Sequence, residues 1–340
     1  MMYGHKAKVL LHLRNDLNPR GIDPPCIAGC ARIQAISLRN GGGAIRNRDS
    51  AYRRPGLALA LMVVAASAAA AVELRPEAAQ GFDQYVRLAE RRMQGELAPG
   101  GAFLWVDTLP EPRHGETYSR LQGGEVVSSR LQAGALSDRV SAPGALIHHW
   151  VGTVFIPGVS LSQVLAVVED YDHHFEYYKP DIVQSKKVEQ TGDDFKVHYR
   201  LRKKKIITII LDTDYQVHRR WIDSSHVYSN SYSTRIAQVE HAGERDEQEL
   251  PPGNDGGYMW RLNSYWRYFD NGHGVYVQCE AISLTRDIPP GLNWLVGSFV
   301  ESIPQESLEF TLQSTRAAVL RGGLHTSQSN SRVVAPREGR

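Results

Sequence analysis

Residues Cys279–Leu320, CEAISLTRDIPPGLNWLVGSFVESIPQESLEFTLQSTRAAVL, decide the fold, because they carry a strand into a long helix through one sharp joint. From Val275 to Thr285 the residues alternate, with Val275, Val277, Cys279 and Ala281 on one face, the period of a half-buried strand. Asp287-Ile-Pro-Pro-Gly291 stops it, since neither proline can donate to a ladder. Beyond the joint Leu295, Phe299 and Ile303 recur at helical spacing, and Leu308, Leu312, Thr315 and Val319 extend the stripe. Pro304 falls inside it, so a kink or a restart is expected there, with Ser302 or Ile303 as the cap. A strand-rich body closed by such a helix curves its sheet around it. The space between them is then either packed solid or kept as a pocket.

Upstream of that joint the chain reads as a meander. Trp150–Ile156 is a strand stopped by Pro157-Gly158, and Ser160 or Ser162 can cap a helix with the stripe Leu161, Val164, Leu165 and Val168. A short helix or turn, Asp172–Tyr178, ends before Pro180. Phe195, Val197, Tyr199 and Leu201 then alternate with Lys196, His198, Arg200 and Arg202, which predicts a strand with one wet face. Ile206–Val217 begins apolar on both faces and should be central, His226–Ile236 follows, and Glu244–Gly257 is an acidic insertion. Tyr258–Phe269 carries Tyr258, Trp260, Leu262, Trp266 and Tyr268 on one face, and Asn271-Gly272 turns it tightly into Val275. Before the meander, Pro76 opens a helix with the face Phe82, Tyr85 or Val86, Ala89 and Met93, and Phe103–Val106 and Gly124–Leu131 are short strand candidates.

The charge is divided unevenly along the 340 residues. Of the 39 Lys and Arg and 37 Asp and Glu, ten and three fall in residues 1–71, which leaves the remainder with an acidic excess of five. That argues against nucleic acid as a partner, which calls for a clustered basic face. The one basic run, Arg200–Lys205, suits a solvated hairpin turn or a transient contact with anionic lipid. Arg53-Arg54 precedes an apolar, alanine-rich run to Ala71, which reads as a signal peptide over 53–71 and hence a periplasmic or secreted protein, anchored if the segment stays uncleaved. Residues 1–52 read as a disordered or wrongly assigned leader, and 322–340 as a disordered tail.

Chemical motifs are few. His148-His149 and His173-His174 are the candidate metal ligands, but neighbours on a strand point to opposite faces and no carboxylate or thiol stands at ligand spacing. There is no Gly-x-Ser-x-Gly, no phosphate-cradling glycine loop and no Cys/His nucleophile pattern, so no cofactor or metal is expected. Arg261, Asn263, Tyr265 and Arg267 share one face of their strand. That face is either a solvated exterior or a cavity wall on which an arginine grips a carboxylate or phosphate in bidentate fashion, with Asp212 and Asp214 as arginine partners.

The order of strand, helix pair, antiparallel strands and long C-terminal helix resembles the START-like (SRPBCC) superfamily. Three segments carry the resemblance: Val151–Ile156 running into Pro157-Gly-Val-Ser-Leu-Ser-Gln-Val-Leu165; Asp170–Ile182, DYDHHFEYYKPDI; and Arg286–Trp294, RDIPPGLNW, with the helix after it. It covers roughly residues 148–321 and leaves 72–147 as an N-terminal extension. It implies an α+β helix-grip fold, a curved antiparallel sheet wrapped around the C-terminal helix with a cavity between them. Members bind sterols, phospholipids, polyketides, plant hormones or quinones, and a minority are cyclases or other enzymes. The expected function is therefore an exported, non-enzymatic binder or carrier of a hydrophobic small molecule such as a lipid, isoprenoid or polyketide. Its ligand-binding wall would draw on Tyr199, Leu201, Trp260, Arg261, Tyr265, Trp266, Phe299 and Val300. Two alternatives stand beside it: a cyclase/aromatase- or hydrolase-type enzyme using Arg261, Asp212, His198 and Tyr265, and a scaffold module that binds a partner through residues 76–147.

Overall fold

The structure, a computed structural model, describes residues 72–132, 140–204, 207–288 and 293–322, with residues 293–301 described by their backbone alone. Expectations placed on the leader, the signal peptide and residues 323–340 lie outside the described residues, as do the side chains of Phe299 and Val300.

One antiparallel sheet dominates. Its strands are β2 (Val127–Arg130), β3 (Ala145–Pro157), β4 (Ile182–Thr191), β5 (Asp194–Lys204), β6 (Thr208–Trp221), β7 (His226–Glu240), β10 (Arg261–Asp270) and β11 (Gly274–Arg286), in the spatial order β2-β3-β11-β10-β7-β6-β5-β4. The acidic insertion supplies β8 (Gln248–Glu249), paired with the end of β7, and β9 (Asn254–Asp255), paired with β1 (Val72–Glu73). The tight turn between β10 and β11 works because Gly272 takes φ +81°, where a side chain would be strained. Register fixes the faces, since successive side chains alternate. Trp266 stands opposite Cys279, and Cys279 opposite Gly152, so these three share the side on which the long helix lies.

That helix, α5 (Asn293–Leu320), completes a grip. Leu308 and Leu312 settle on β3 at Gly152, where a Cβ would stand 2.7 Å from Leu312 Cδ1; the close approach is what the missing side chain permits. Further along, Thr315 Oγ1 lies 3.0 Å from the Tyr178 hydroxyl and Arg316 Nε donates to the Phe155 carbonyl at 3.2 Å. The restart expected at Pro304 does not occur: α5 runs through it unbroken. The interior proline costs about 3 kcal/mol, and the packing of the second half of α5 on β3 offsets it.

Packed with α5 on the same side of the sheet are α3 (Leu161–Val168) and α4 (His174–Tyr177). Ser160, not Ser162, caps α3: its hydroxyl accepts from Gln163 N while the Gln163 side chain accepts from Ser160 N at 2.8 Å. The opposite, convex side of the sheet is covered by α1 (Pro76–Glu96), whose Phe82, Tyr85, Val86, Ala89 and Met93 form the predicted stripe against Tyr265, Ile282 and Leu284. At roughly 1.5–3 kcal/mol for each large apolar side chain buried, this is a substantial part of the core. The boundary drawn at 147/148 falls inside β3, and β2, from the same N-terminal region, joins the sheet beside it. The strand expected over Phe103–Val106 is instead a 3-10 turn, Trp105–Thr108. Asp107 folds it by accepting from Leu104 N at 3.1 Å, and Trp105 N donates to Gln278 on the sheet at 2.6 Å, which takes that segment out of any ladder. A further short helix, α2 (Arg113–Gln122), precedes β2.

Candidate functional site

The concave face of the sheet divides into a sealed region and an open one. Under the second half of α5 and under α3, Val154, Ile156, Val227, Tyr268, Val275, Val277 and Cys279 are buried in a single apolar cluster. At the β5–β6 side Phe195, Val197, Tyr215 and Val217 are buried in another, beneath Tyr171. Between the two clusters lies a patch that nothing fully covers. Trp150 and Trp266 border the first cluster, Tyr199 and Leu262 border the second, and all four are only partly buried. Ser231, Ser233, Ser264, Ala281 and Leu201 within or beside the patch are likewise partly exposed.

Strand register places the hydroxyls. Ser231 and Ser264 are direct cross-strand partners on β7 and β10. Ser264 Oγ accepts from Trp266 Nε1 at 3.2 Å, and Ser233 Oγ accepts from Leu262 N at 3.0 Å. At one flank His148 Nε2 meets Thr285 Oγ1 at 3.0 Å. At the other, His174 Nδ1 meets the Tyr199 hydroxyl at 2.9 Å with the two rings stacked. His174 is enclosed by Tyr171, Tyr178 and Tyr199, and burial lowers its pKa to about 4, so it is a neutral ring at physiological pH. Burial also holds the Tyr199 hydroxyl well above its ordinary value. The patch is thus apolar and aromatic, with neutral hydroxyls converging on it.

Three residues assigned to the cavity wall are on the wrong side of the sheet. Tyr265 is fully buried on the convex face, its hydroxyl donating to Glu90 of α1 at 2.9 Å. Arg261 shares that face by alternation and donates to the Trp260 carbonyl at 3.0 Å. Trp260 precedes β10, packs in the α1 cluster and donates from its indole to Asp255 at 3.1 Å. Tyr199, Leu201 and Trp266 do lie on the concave face. The side chains that the sequence reading missed, Trp150, Leu262 and the serines of β7 and β10, have a signal in hindsight: Ser229, Ser231 and Ser233 recur with period two.

The polar set on β10 is neither solvated nor a ligand clamp. Arg267, with no exposed surface, pairs with Glu96 at 2.6 Å and donates to the Phe103 carbonyl at 2.7 Å. Arg92 bridges Glu96 and the buried Glu280, and Glu280 also accepts from His149 at 2.6 Å. A carboxylate can only accept, so His149 donates through Nε2, and its Nδ1 lies 3.0 Å from the Tyr85 hydroxyl. Burial pushes the Glu280 carboxyl up, but the His149 hydrogen bond and the charges of His149, Arg92 and Arg267 together hold it below the usual carboxylate range. Asp212 is gripped by Arg200 through two bonds of 2.7 Å and Asp214 sits 2.8 Å from His198, so neither is a partner of Arg261 or Arg267. The adjacent histidines part company: His148 faces the grip and His149 the convex side, while His173 is bound to Asp170 at 2.7 Å. An open groove of about 400 Å³ on the convex side, lined among others by Glu189, Lys196, Asn230 and Tyr232, has its lysine paired with Glu189.

No protein-family description matches the sequence, and no curated protein does. Several solved structures are similar in shape. A STAR-related lipid transfer protein from Xanthomonas axonopodis aligns at 17% identity over 57% of this chain and 98% of its own, with a TM-score of 0.35. Human STARD10 aligns at 11% identity over 63% and 81%, TM-score 0.37, and the Zhui aromatase/cyclase from Streptomyces sp. R1128 at 11% over 52% and 95%, TM-score 0.33. At such scores the likenesses carry no argument of their own, whereas the strand order, the register and the helix laid across the concave face do. On those grounds the chain has a START-like, helix-grip α+β fold.

Proposed function

We propose that the protein binds and carries a hydrophobic small molecule, of the lipid, isoprenoid or polyketide kind, against the concave face of the sheet. The observation that supports this reading is the contrast in burial. Large aromatic and aliphatic side chains, Trp150, Leu262 and Trp266, stay partly uncovered in the middle of a face otherwise sealed on both sides. An apolar concavity with a few convergent polar groups is what recognition of such a ligand requires. The segment 53–71 is proposed to export the chain, and the β5–β6 hairpin to touch membranes, since Arg202, Lys204 and Ile207 are exposed together near its tip. Replacing Arg202 and Lys204 with glutamate should weaken sedimentation with anionic vesicles; unchanged sedimentation would count against that contact.

The residues offered for a cyclase- or hydrolase-type reaction, Arg261, Asp212, His198 and Tyr265, do not meet in the grip, and each is held by the neighbour described above. The scaffold reading drew on residues 76–147, whose apolar helix face is occupied by the sheet. Native mass spectrometry after mild extraction tests the carrier reading. It should show the full chain with an additional apolar mass of lipid size, removed by organic solvent; a bare chain that also fails to load from a lipid extract would overturn it.

A further inference from the structure

Resting on that reading, the charges around the grip narrow the ligand: we infer that the site takes an apolar molecule with a neutral oxygen-bearing head, a hydroxyl or carbonyl, and selects against a phosphate head. The argument begins with where the cations are. Among the described residues, the basic side chains that register places on the concave side are Arg219, Lys203, Lys187 and Arg130, with Lys187 on the edge strand opposite Val197 of the sealed cluster, donating to Gln190 at 2.8 Å. Arg219 is committed to Glu169 and Asp193, and Lys203 to Asp181. Arg130 is exposed to solvent on the edge strand. The arginines on the strands that line the patch point the other way: Arg267 to Glu96, Arg235 to Glu249, Arg261 to the Trp260 carbonyl.

The sequence leading into and through most of α5 adds none. From Asp287 to Thr315 the sequence contains no Lys or Arg, while Asp287, Glu301, Glu306 and Glu309 give that stretch four acidic residues. What the patch does offer is neutral: the hydroxyls of Ser231, Ser233 and Ser264, the Tyr199 hydroxyl, and a His174 ring that stays unprotonated. A hydroxyl or carbonyl head can exchange hydrogen bonds with these groups and lose little on leaving water. A phosphate buried there would keep its charge without a cation to meet it, and would not recover the hydration it gives up. The face is built for hydrogen bonding without charge.

The test loads the full chain with an equimolar mixture of dioleoylglycerol and dioleoylphosphatidate, which differ only in the phosphate, and reads bound species by native mass spectrometry. The neutral lipid should be preferred by at least about tenfold, the ratio that 1.4 kcal/mol supports. Placing a cation in the patch, by Ser264→Arg or, should that fold poorly, Ser231→Lys, should shift the ratio toward phosphatidate by at least about tenfold. Phosphatidate bound as well as or better than the diacylglycerol by the unaltered chain would overturn the inference and leave the carrier reading intact. Binding of neither, with extract lipids also refused, would overturn both.

Discussion

The two parts of the concave face are made from the same strands and differ in how completely they are covered. On β10, Tyr268 is sealed in the core and Trp266, two residues earlier, is not; on β7, Val227 is sealed and Ser231 is not. The sealed part is filled by Leu308 and Leu312 of α5 and by α3, and it is made of Val, Ile, Leu and tyrosine with Cys279 and Ala318. The open part mixes tryptophan and leucine with serine. Serines that stay partly exposed add little to a folding core, and it is on this contrast that the proposed site rests. The convex face offers a third solution, in which arginine and glutamate are buried by pairing across α1 and the sheet.

The largest expected effect lies on that convex side. Arg267→Met should lower unfolding free energy by about 3–5 kcal/mol in urea titration, because Glu96 and the Phe103 carbonyl lose a buried partner. A loss below about 1 kcal/mol would mean that the pairing is dispensable and that α1 is held by its apolar stripe alone. Next is Leu312→Ala in the sealed region, with an expected cost of about 2–5 kcal/mol and no change in ligand selectivity. Equal losses from Leu312→Ala and Trp266→Ala would erase the distinction between the two regions.

Acid should probe the flank of the open region. Unfolded, His174 takes its proton near 6.5; folded, burial delays protonation to about 4. Between these values the unfolded chain binds a proton that the folded chain does not, so stability falls as the pH is lowered through this window and levels off below it. The loss is on the order of 3 kcal/mol, and His174→Gln should remove that part of the slope from thermal denaturation measured between pH 7 and 4. An unchanged slope would show that the ring is reached by water. Glu280 contributes in the same direction at lower pH, since its depressed carboxyl loses its advantage only as it protonates.

Trp266→Ala should have the smallest effect on stability, about 1–2 kcal/mol, since the indole is only partly buried, yet it should weaken dioleoylglycerol binding at least about tenfold. Calorimetry and a binding titration on the same variant separate these quantities. Loss of stability without loss of binding would place Trp266 in the core and not in the site.

Much of this architecture was legible in the sequence, because element order follows from apolar period and from punctuation by proline and glycine. The clean alternation of β5 puts Tyr199 and Leu201 on the correct face. β10 misleads because both of its faces are covered. Arg261, Asn263, Tyr265 and Arg267 read as a wet or ligand-facing side, while the segment that covers them begins with α1, and Glu96 lies 171 residues away from Arg267. Trp260 fails for a local reason. It stands before β10, just beyond Gly257 at φ +68°, where strand parity counted backwards no longer holds. Asp107 bends Trp105–Thr108 through a side-chain bond that no hydropathy period records. What local pattern cannot show is pairing across the chain, and here such pairing decides which arginines are free.

The central claim is the proposal that ligand occupies the open region of the concave face and is admitted past the first half of α5. Amide hydrogen exchange, measured residue by residue with and without dioleoylglycerol, tests it directly. Without ligand, residues 292–302 should exchange faster than Leu308–Leu320. Added ligand should slow exchange there and in β7 and β10 around Ser231 and Ser264, leaving Leu308–Leu320 and the Val275–Cys279 end of β11 unchanged. Equal protection on both sides of Pro304, indifferent to the lipid, would contradict the account.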